Sequence, residues 1–96
     1  MPAVTRLGDL DTGHDACPPT ALNGASPNVF TNGKGTGRVG DPYVPHGCPA
    51  HPTHTAHIAD GSGTVFVNGI KVGRIGDPVD CGGSVAQGSG NVFAGG

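Results

Sequence analysis

The chain writes one phrase twice. "SPNVFTNGKGTGRVGDP" runs from Ser26 to Pro42, and "SGTVFVNGIKVGRIGDP" runs from Ser62 to Pro78, 36 residues later. Val29-Phe30 falls on Val65-Phe66, Asn32-Gly33 on Asn68-Gly69, and Arg38, Gly40, Asp41 and Pro42 on Arg74, Gly76, Asp77 and Pro78. A third copy is cut in two. "GSGNVFAGG", Gly88 to Gly96, repeats the front half, and the N-terminus supplies the back half as Arg6-Leu7-Gly8-Asp9. When the ends are joined, Gly96 takes the place of Gly69 and Pro2 that of Ile70, leaving only Met1 over. A repeat that closes through its own termini implies that the termini lie side by side. The expectation is one domain, residues 1–96, with units at approximately 25–46, 61–82, and 88–96 joined to 1–14. Its three equivalent sides would form a small β-cone or β-solenoid with pseudo-threefold repeats.

The local chemistry agrees with an all-β fold. Gly and Pro are 19 and 9 of the 96 residues, which in a periodic sequence means many tight turns between short strands. Asn-Gly favours the type I′ hairpin turn, because both residues tolerate positive φ. The spacing predicts a first strand at Val-Phe and a second through Arg38-Val39 or Arg74-Ile75, which Gly-Asp-Pro then breaks. Alternation predicts that one residue of each Val-Phe pair points inward. No stretch carries helical periodicity with caps. In Arg-x-Gly-Asp, the Asp is expected to bond turn amides or to pair with a neighbouring Arg. The tripeptide Arg-Gly-Asp never occurs.

Composition excludes several functions and raises a problem of stability. The five basic residues (Arg6, Lys34, Arg38, Lys71 and Arg74) are scattered and the formal net charge is −2. A nucleic-acid groove needs concentrated positive charge. No apolar run is long enough for a membrane-spanning helix, and "MPAVTRLGD" lacks the apolar core of a secretory signal. A chain that leaves the cell without such a signal is carried by another machine. With no Trp, one Tyr and three Phe, the core is small and calls for a staple. The three cysteines, Cys17, Cys48 and Cys81, allow a Cys17–Cys48 disulfide or a mixed Cys/His metal site.

A metal-capable residue follows each Gly-Asp at nearly the same offset. His14 comes five residues after Asp9, His46 five after Asp41, and Cys81 four after Asp77. Equivalent offsets in a closed repeat bring these side chains to one end. The longest insertion, "HGCPAHPTHTAHIADGS", offers Cys48, His51, His54 or His57 as a fourth donor. Zinc takes four nitrogen or sulfur donors in structural sites. Such a site contributes on the order of 10 kcal/mol to a small fold.

The repeat and its closure resemble the PAAR-repeat family. "SPNVFTNG…GRVGDP", "SGTVFVNG…GRIGDPVDCGG" and the split "GSGNVFAGG" with "TRLGD…TGH" carry the resemblance over essentially the whole chain. The tetrapeptide Pro-Ala-Ala-Arg itself is absent, and only its Arg recurs in all three units. The resemblance implies a tip on the trimeric β-helical spike of a contractile injection machine, either a type VI secretion system or a phage tail. The base would dock on the spike and the apex would face the target membrane. It also implies one structural Zn2+ held by three His and one Cys. Those would be His14, His46, His54 and Cys81, with His54 chosen because it lies seven residues before Gly61 of "GS". Val29, Phe30, Val65, Phe66, Val92 and Phe93 are the expected docking strands, which would extend the spike's sheets by β-augmentation. Any effector cargo would be a separate chain.

Two other functions compete. A small zinc hydrolase needs an open metal position and a base. The acidic residues are all Asp, which excludes Glu-based motifs and leaves Asp11, Asp15 or Asp80 as bases. A stand-alone metal-binding β-solenoid needs no trimeric partner.

Overall fold

The computed structural model describes residues 1–13, 17–48 and 51–96; for 46–48 and 51–52 only the backbone is described. Its described part contains no helix. Six short strands pair into three separate two-stranded antiparallel sheets: β1 (Phe30–Thr31) with β2 (Lys34–Gly35), β3 (His46–Cys48) with β4 (His51–His54), and β5 (Phe66–Val67) with β6 (Ile70–Lys71). The body measures 37 × 23 × 23 Å.

The β1–β2 and β5–β6 hairpins turn on Asn-Gly, as their chemistry requires. Asn32 and Gly33 have φ of 53° and 77°, and Asn68 and Gly69 have 55° and 75°. The second strand of each hairpin is Lys34–Gly35 or Ile70–Lys71, not the segment at Arg38-Val39 or Arg74-Ile75. The two-residue turn fixes the register and brings the chain back at once, so the arginines lie beyond the hairpin. Arg38 and Arg74 make isolated bridges to Val72 and Val4 instead. The inward residue also differs from expectation. Both members of each Val-Phe pair are exposed, and the next residue, Thr31, Val67 or Ala94, is buried in their stead. The β3–β4 hairpin was not foreseen in the insertion.

Most long-range structure comes from hydrogen bonds that recur between equivalent positions. Where three segments meet, the N–H of Thr5 donates to Gly73 O at 3.0 Å, that of Gly73 to Gly37 O at 2.9 Å, and that of Gly37 to Thr5 O at 3.0 Å. These three bonds close a triangle. The next residue but one repeats the pattern: Leu7 donates to Gly35, Val39 to Lys71, and Ile75 to Ala3. The two termini lie together in the same network, with Val4 N–H on Val92 O, Ala94 N–H on Pro2 O, and a bridge between Ala3 and Phe93.

The triangle separates two small apolar clusters. Leu22, Tyr43, Ala56, Ile58, Val79 and Val85 pack on one side, and Val4, Val67, Val72 and Ala94 on the other. At the triangle there is space for one side chain. A Cβ on Gly37 would lie 2.7 Å from Thr5 Cγ2 and 2.8 Å from Leu22 Cδ2; one on Gly73 would lie 2.9 Å from Ile58 Cδ1. Thr5 fills the gap and sends its hydroxyl to Gln87 O at 2.9 Å.

Each Arg-x-Gly-Asp is a closed turn. Asp41 accepts from Arg38 N at 2.8 Å and from its Nε and Nη2 at 2.9 Å each, and Asp9 and Asp77 hold Arg6 and Arg74 in the same way. Planar two-pronged bonding of this kind is strong and specific to Arg. The remaining arm of each Arg reaches the neighbouring hairpin turn. Arg6 Nη1 donates to Asn32 Oδ1 at 3.2 Å and Arg38 Nη1 to Asn68 Oδ1 at 3.1 Å. In the third copy, where Gly95 replaces Asn, Arg74 Nη1 takes the backbone oxygen of Gly95 at 3.0 Å. Ser89, Ser26 and Ser62 donate to the same three oxygens.

Gly37→Ala overpacks the junction and is expected to cost about 1–3 kcal/mol in denaturant unfolding. Thr5→Ser removes the obstructing methyl and keeps the hydroxyl, so the double variant should recover part of that loss. Strict additivity would contradict the shared-space account.

Candidate metal centre

The segments after the three Gly-Asp turns each reach the larger apolar cluster, through Tyr43, Val79 and the bridge of Asp11 to Val85. Thr12 N–H donates to Ser84 O at 2.9 Å, and Ser84 N–H returns to Thr12 Oγ1 at 3.0 Å. A Cβ on Gly83 would stand 2.5 Å from Gly13 O, so only glycine lets these segments touch. The stretch before His14 therefore lies against the stretch after Cys81. On another side, Asp80 N–H donates to His57 O at 3.0 Å, and Asp80 accepts from His57 N–H at 3.0 Å and lies 3.1 Å from its Nδ1. On the third, Tyr43 N–H donates to Ala56 O, and β3 pairs His46 with His54.

Of the four expected ligands, His54 and Cys81 are described with their side chains. His46 is placed by its backbone, opposite His54. His14 and Asp15 lie outside the described residues, as do the side chains of Cys48 and His51. Among the described residues no three His, Cys, Asp or Glu side chains gather into a metal-holding group. His57, another possible donor, engages Asp80.

Cys81 sits in a tight turn, with Val79 N–H on Gly83 O at 2.9 Å and Gly82 N–H on Val79 O at 3.0 Å. Its sulfur is half-buried against the apolar cluster and is a free thiol. Burial pushes the thiol pKa up, the Gly83 amide draws it down, and the charge of Asp11 adds to the rise. Cys17 is disulfide-bonded; the side chain of Cys48, its partner in the sequence reading, is outside the described residues.

Among the described residues, three polar side-chain atoms are buried without a partner: Asp11 Oδ2, Thr20 Oγ1 and Tyr43 Oη. Burial raises the Tyr43 pKa, with Asp11 and then Asp9 adding to it, so the phenol stays protonated. Asp11 is almost wholly enclosed, and its Oδ1 accepts the N–H groups of Gly13 and Thr20 at 3.0 Å each. That enclosure is unsuited to a hydrolytic base. Sequence reasoning weighed Asp11 only as such a base. The signal for a structural role was register: Asp11 precedes His14 by three residues, as Tyr43 precedes His46. Thr5, Gly37 and Gly73 were overlooked in the same way, although each stands directly before a repeated Arg.

The structure thus defines a small all-β protein of short hairpins and closed turns. The PAAR motif family matches residues 12–87, and the chain belongs to that family. A search of characterised proteins found no match. The family is a structural one that supplies spike tips to secretion and phage puncturing machines, and metal binding is general in it. The donor types suit a metal: the free, half-buried Cys81 thiol, the paired His46 and His54 positions, and a buried carboxylate oxygen without a partner among the described residues.

Unreduced protein unfolded in denaturant is expected to titrate one thiol per chain, from Cys81, and three after reduction. Three thiols before reduction would contradict the disulfide at Cys17.

Proposed function

We propose that the chain is the sharpening tip of a contractile injection machine. It caps a trimeric β-helical spike, of the valine-glycine-repeat type or a phage tail-spike homologue, and leads it through the target membrane. In this reading the units 25–46, 61–82, and 88–96 with 1–14 form one three-sided cone, residues 1–96. One chain can then answer three identical edges of a trimer.

The observation that carries the reading is the set of exposed aromatics. Phe30, Phe66 and Phe93, one per repeat, are 61%, 53% and 49% exposed, each beside an exposed Val. Isolated exposed apolar residues are ordinary, but a repeated set on one end marks a contact surface. With β2 and β6 engaged by Leu7 and Val39, the strands β1 and β5 would be the edges offered for β-augmentation. The opposite end would be the apex. His14, His46, His54 and Cys81 would hold one structural Zn2+ there, tying together loops that share little apolar filling. When bound, zinc supplies four strong directional bonds and no turnover chemistry, because a fourth protein donor leaves no open position. The chain would be made in the cytoplasm and exported on the spike, with any effector cargo riding separately. The role asks for rigidity, not catalysis.

Co-expression with a trimeric spike of the valine-glycine-repeat type tests the docking claim. Native mass spectrometry is expected to show one chain per spike trimer. Replacing Phe30, Phe66 and Phe93 by Asp should abolish the complex without unfolding the chain, and an intact complex would overturn the docking surface.

Elemental analysis of untagged protein tests the apex. One zinc per chain is expected, lost in His14→Ala, His54→Ala and Cys81→Ala and kept in His51→Ala. The first and last of the three zinc-losing variants should also melt at lower temperature. A metal-free parent, or unchanged melting in both, would contradict the staple.

A further inference from the structure

One buried carboxylate has no counterpart in the other repeats. Asp11, Tyr43 and Val79 are equivalent by their hydrogen bonds: their N–H groups donate to Thr20 O, Ala56 O and Gly83 O at 3.0, 2.9 and 2.9 Å. Each also bridges an apolar residue of another segment, Val85, Leu22 and Ile58 in turn. All three are buried, at 1%, 0% and 3% exposure. Tyr43 and Val79 bring apolar bulk to the core there, although the Tyr43 hydroxyl has no partner either. The third holds a carboxylate in their place.

Local structure accounts for half of that carboxylate. Oδ1 receives two backbone N–H groups and so fixes the turn that leads towards His14. Oδ2 has no partner. An enclosed carboxylate oxygen left unsatisfied is expensive, and an apolar residue would avoid the cost. Such exceptions call for an explanation such as an unseen ion or a partner not in place.

Its surroundings indicate which. Asp11 pairs with Val85, four residues after Cys81. The segments flanking it meet at the Gly13–Gly83 contact. Three neutral imidazoles and one thiolate around Zn2+ leave a net charge of about +1, and a buried positive centre needs a counter-charge. Imidazoles that bind a metal through one nitrogen hand the other N–H to a carboxylate or carbonyl. The Oδ2 of Asp11 is an acceptor of the right sign in the segment that leads into these turns.

We propose that Asp11 is a positioning residue for the apex cation: its Oδ2 balances the cation's charge and accepts the free ring N–H of a ligating histidine. This rests on the metal reading given above. It assigns the asymmetry of the Asp11–Tyr43–Val79 layer to the metal rather than to packing.

Asp11→Asn tests it, since the amide oxygen can still receive the N–H groups of Gly13 and Thr20. Zinc affinity is measured by chelator competition, and the ligand-field spectrum is recorded with Co2+ in place of zinc. The expected result is an affinity 10–100-fold lower than that of the parent, with a shifted cobalt band. Equal affinity and superimposable spectra would overturn the proposal. A parent that binds neither metal would overturn the metal reading and this one with it. Should Asp11→Asn fail to fold, the parent itself decides. The side-chain carboxyl 13C resonance of Asp11 is expected to move on zinc loading while those of Asp9, Asp41 and Asp77 stay. An unmoved Asp11 resonance would overturn the assignment.

Discussion

Three backbone hydrogen bonds, between Thr5, Gly37 and Gly73, set the terms for the rest of the molecule. They draw three segments so close that one side chain fits where three positions meet. Two of the three must therefore be glycine. The arginines that follow are largely covered, and their carboxylate partners close each turn. The spare arm of each Arg then grips the next hairpin. The same junction thus governs the apolar clusters on both sides and the direction of every loop that leaves it.

This constraint explains where the repeats stay alike and where they diverge. Outward positions can be identical, because each meets only its own surroundings. Positions that meet in the middle share one space and must complement one another. Thr5 fills what Gly37 and Gly73 leave open. Thr31 and Thr36 bond each other through their hydroxyls, where the next repeat packs Val67 and Val72. Asp11 faces the layer of Tyr43 and Val79. Repeats within one chain can share a surface, but the interior they share must differ from one repeat to the next.

The same division decides what the sequence alone could tell. Asn-Gly, Arg-x-Gly-Asp and the split third copy act through local chemistry or chain closure. The turns, the ion pairs and the joined termini were accordingly legible. Strand placement was less so: the two-residue turn returns the chain at Lys34 and Ile70, four residues before the arginines first favoured. The inward residue was misread because alternation gives a period but not a phase, and packing selected Thr31, Val67 and Ala94. The roles of Thr5 and Asp11 depend on what the other segments place opposite them, which no single repeat reveals. Of the expected metal ligands, Cys81 was read from its offset after Gly-Asp and His54 from its place before Gly61, and among the described residues they form no metal-holding group.

Residues 2–5 and 92–94 are bonded to each other within the same network that holds the centre. The most direct test is native-state hydrogen exchange. The amides of Val4, Thr5 and Ala94 are bonded across the closure, and those of Gly37 and Gly73 at the centre. If the repeat closes into one cooperative body, all five exchange only through global unfolding and show the same protection. Exchange at Val4 and Ala94 that is orders of magnitude faster than at Gly37 and Gly73 would mean that the ends open independently, and would contradict the closed structure on which the account depends.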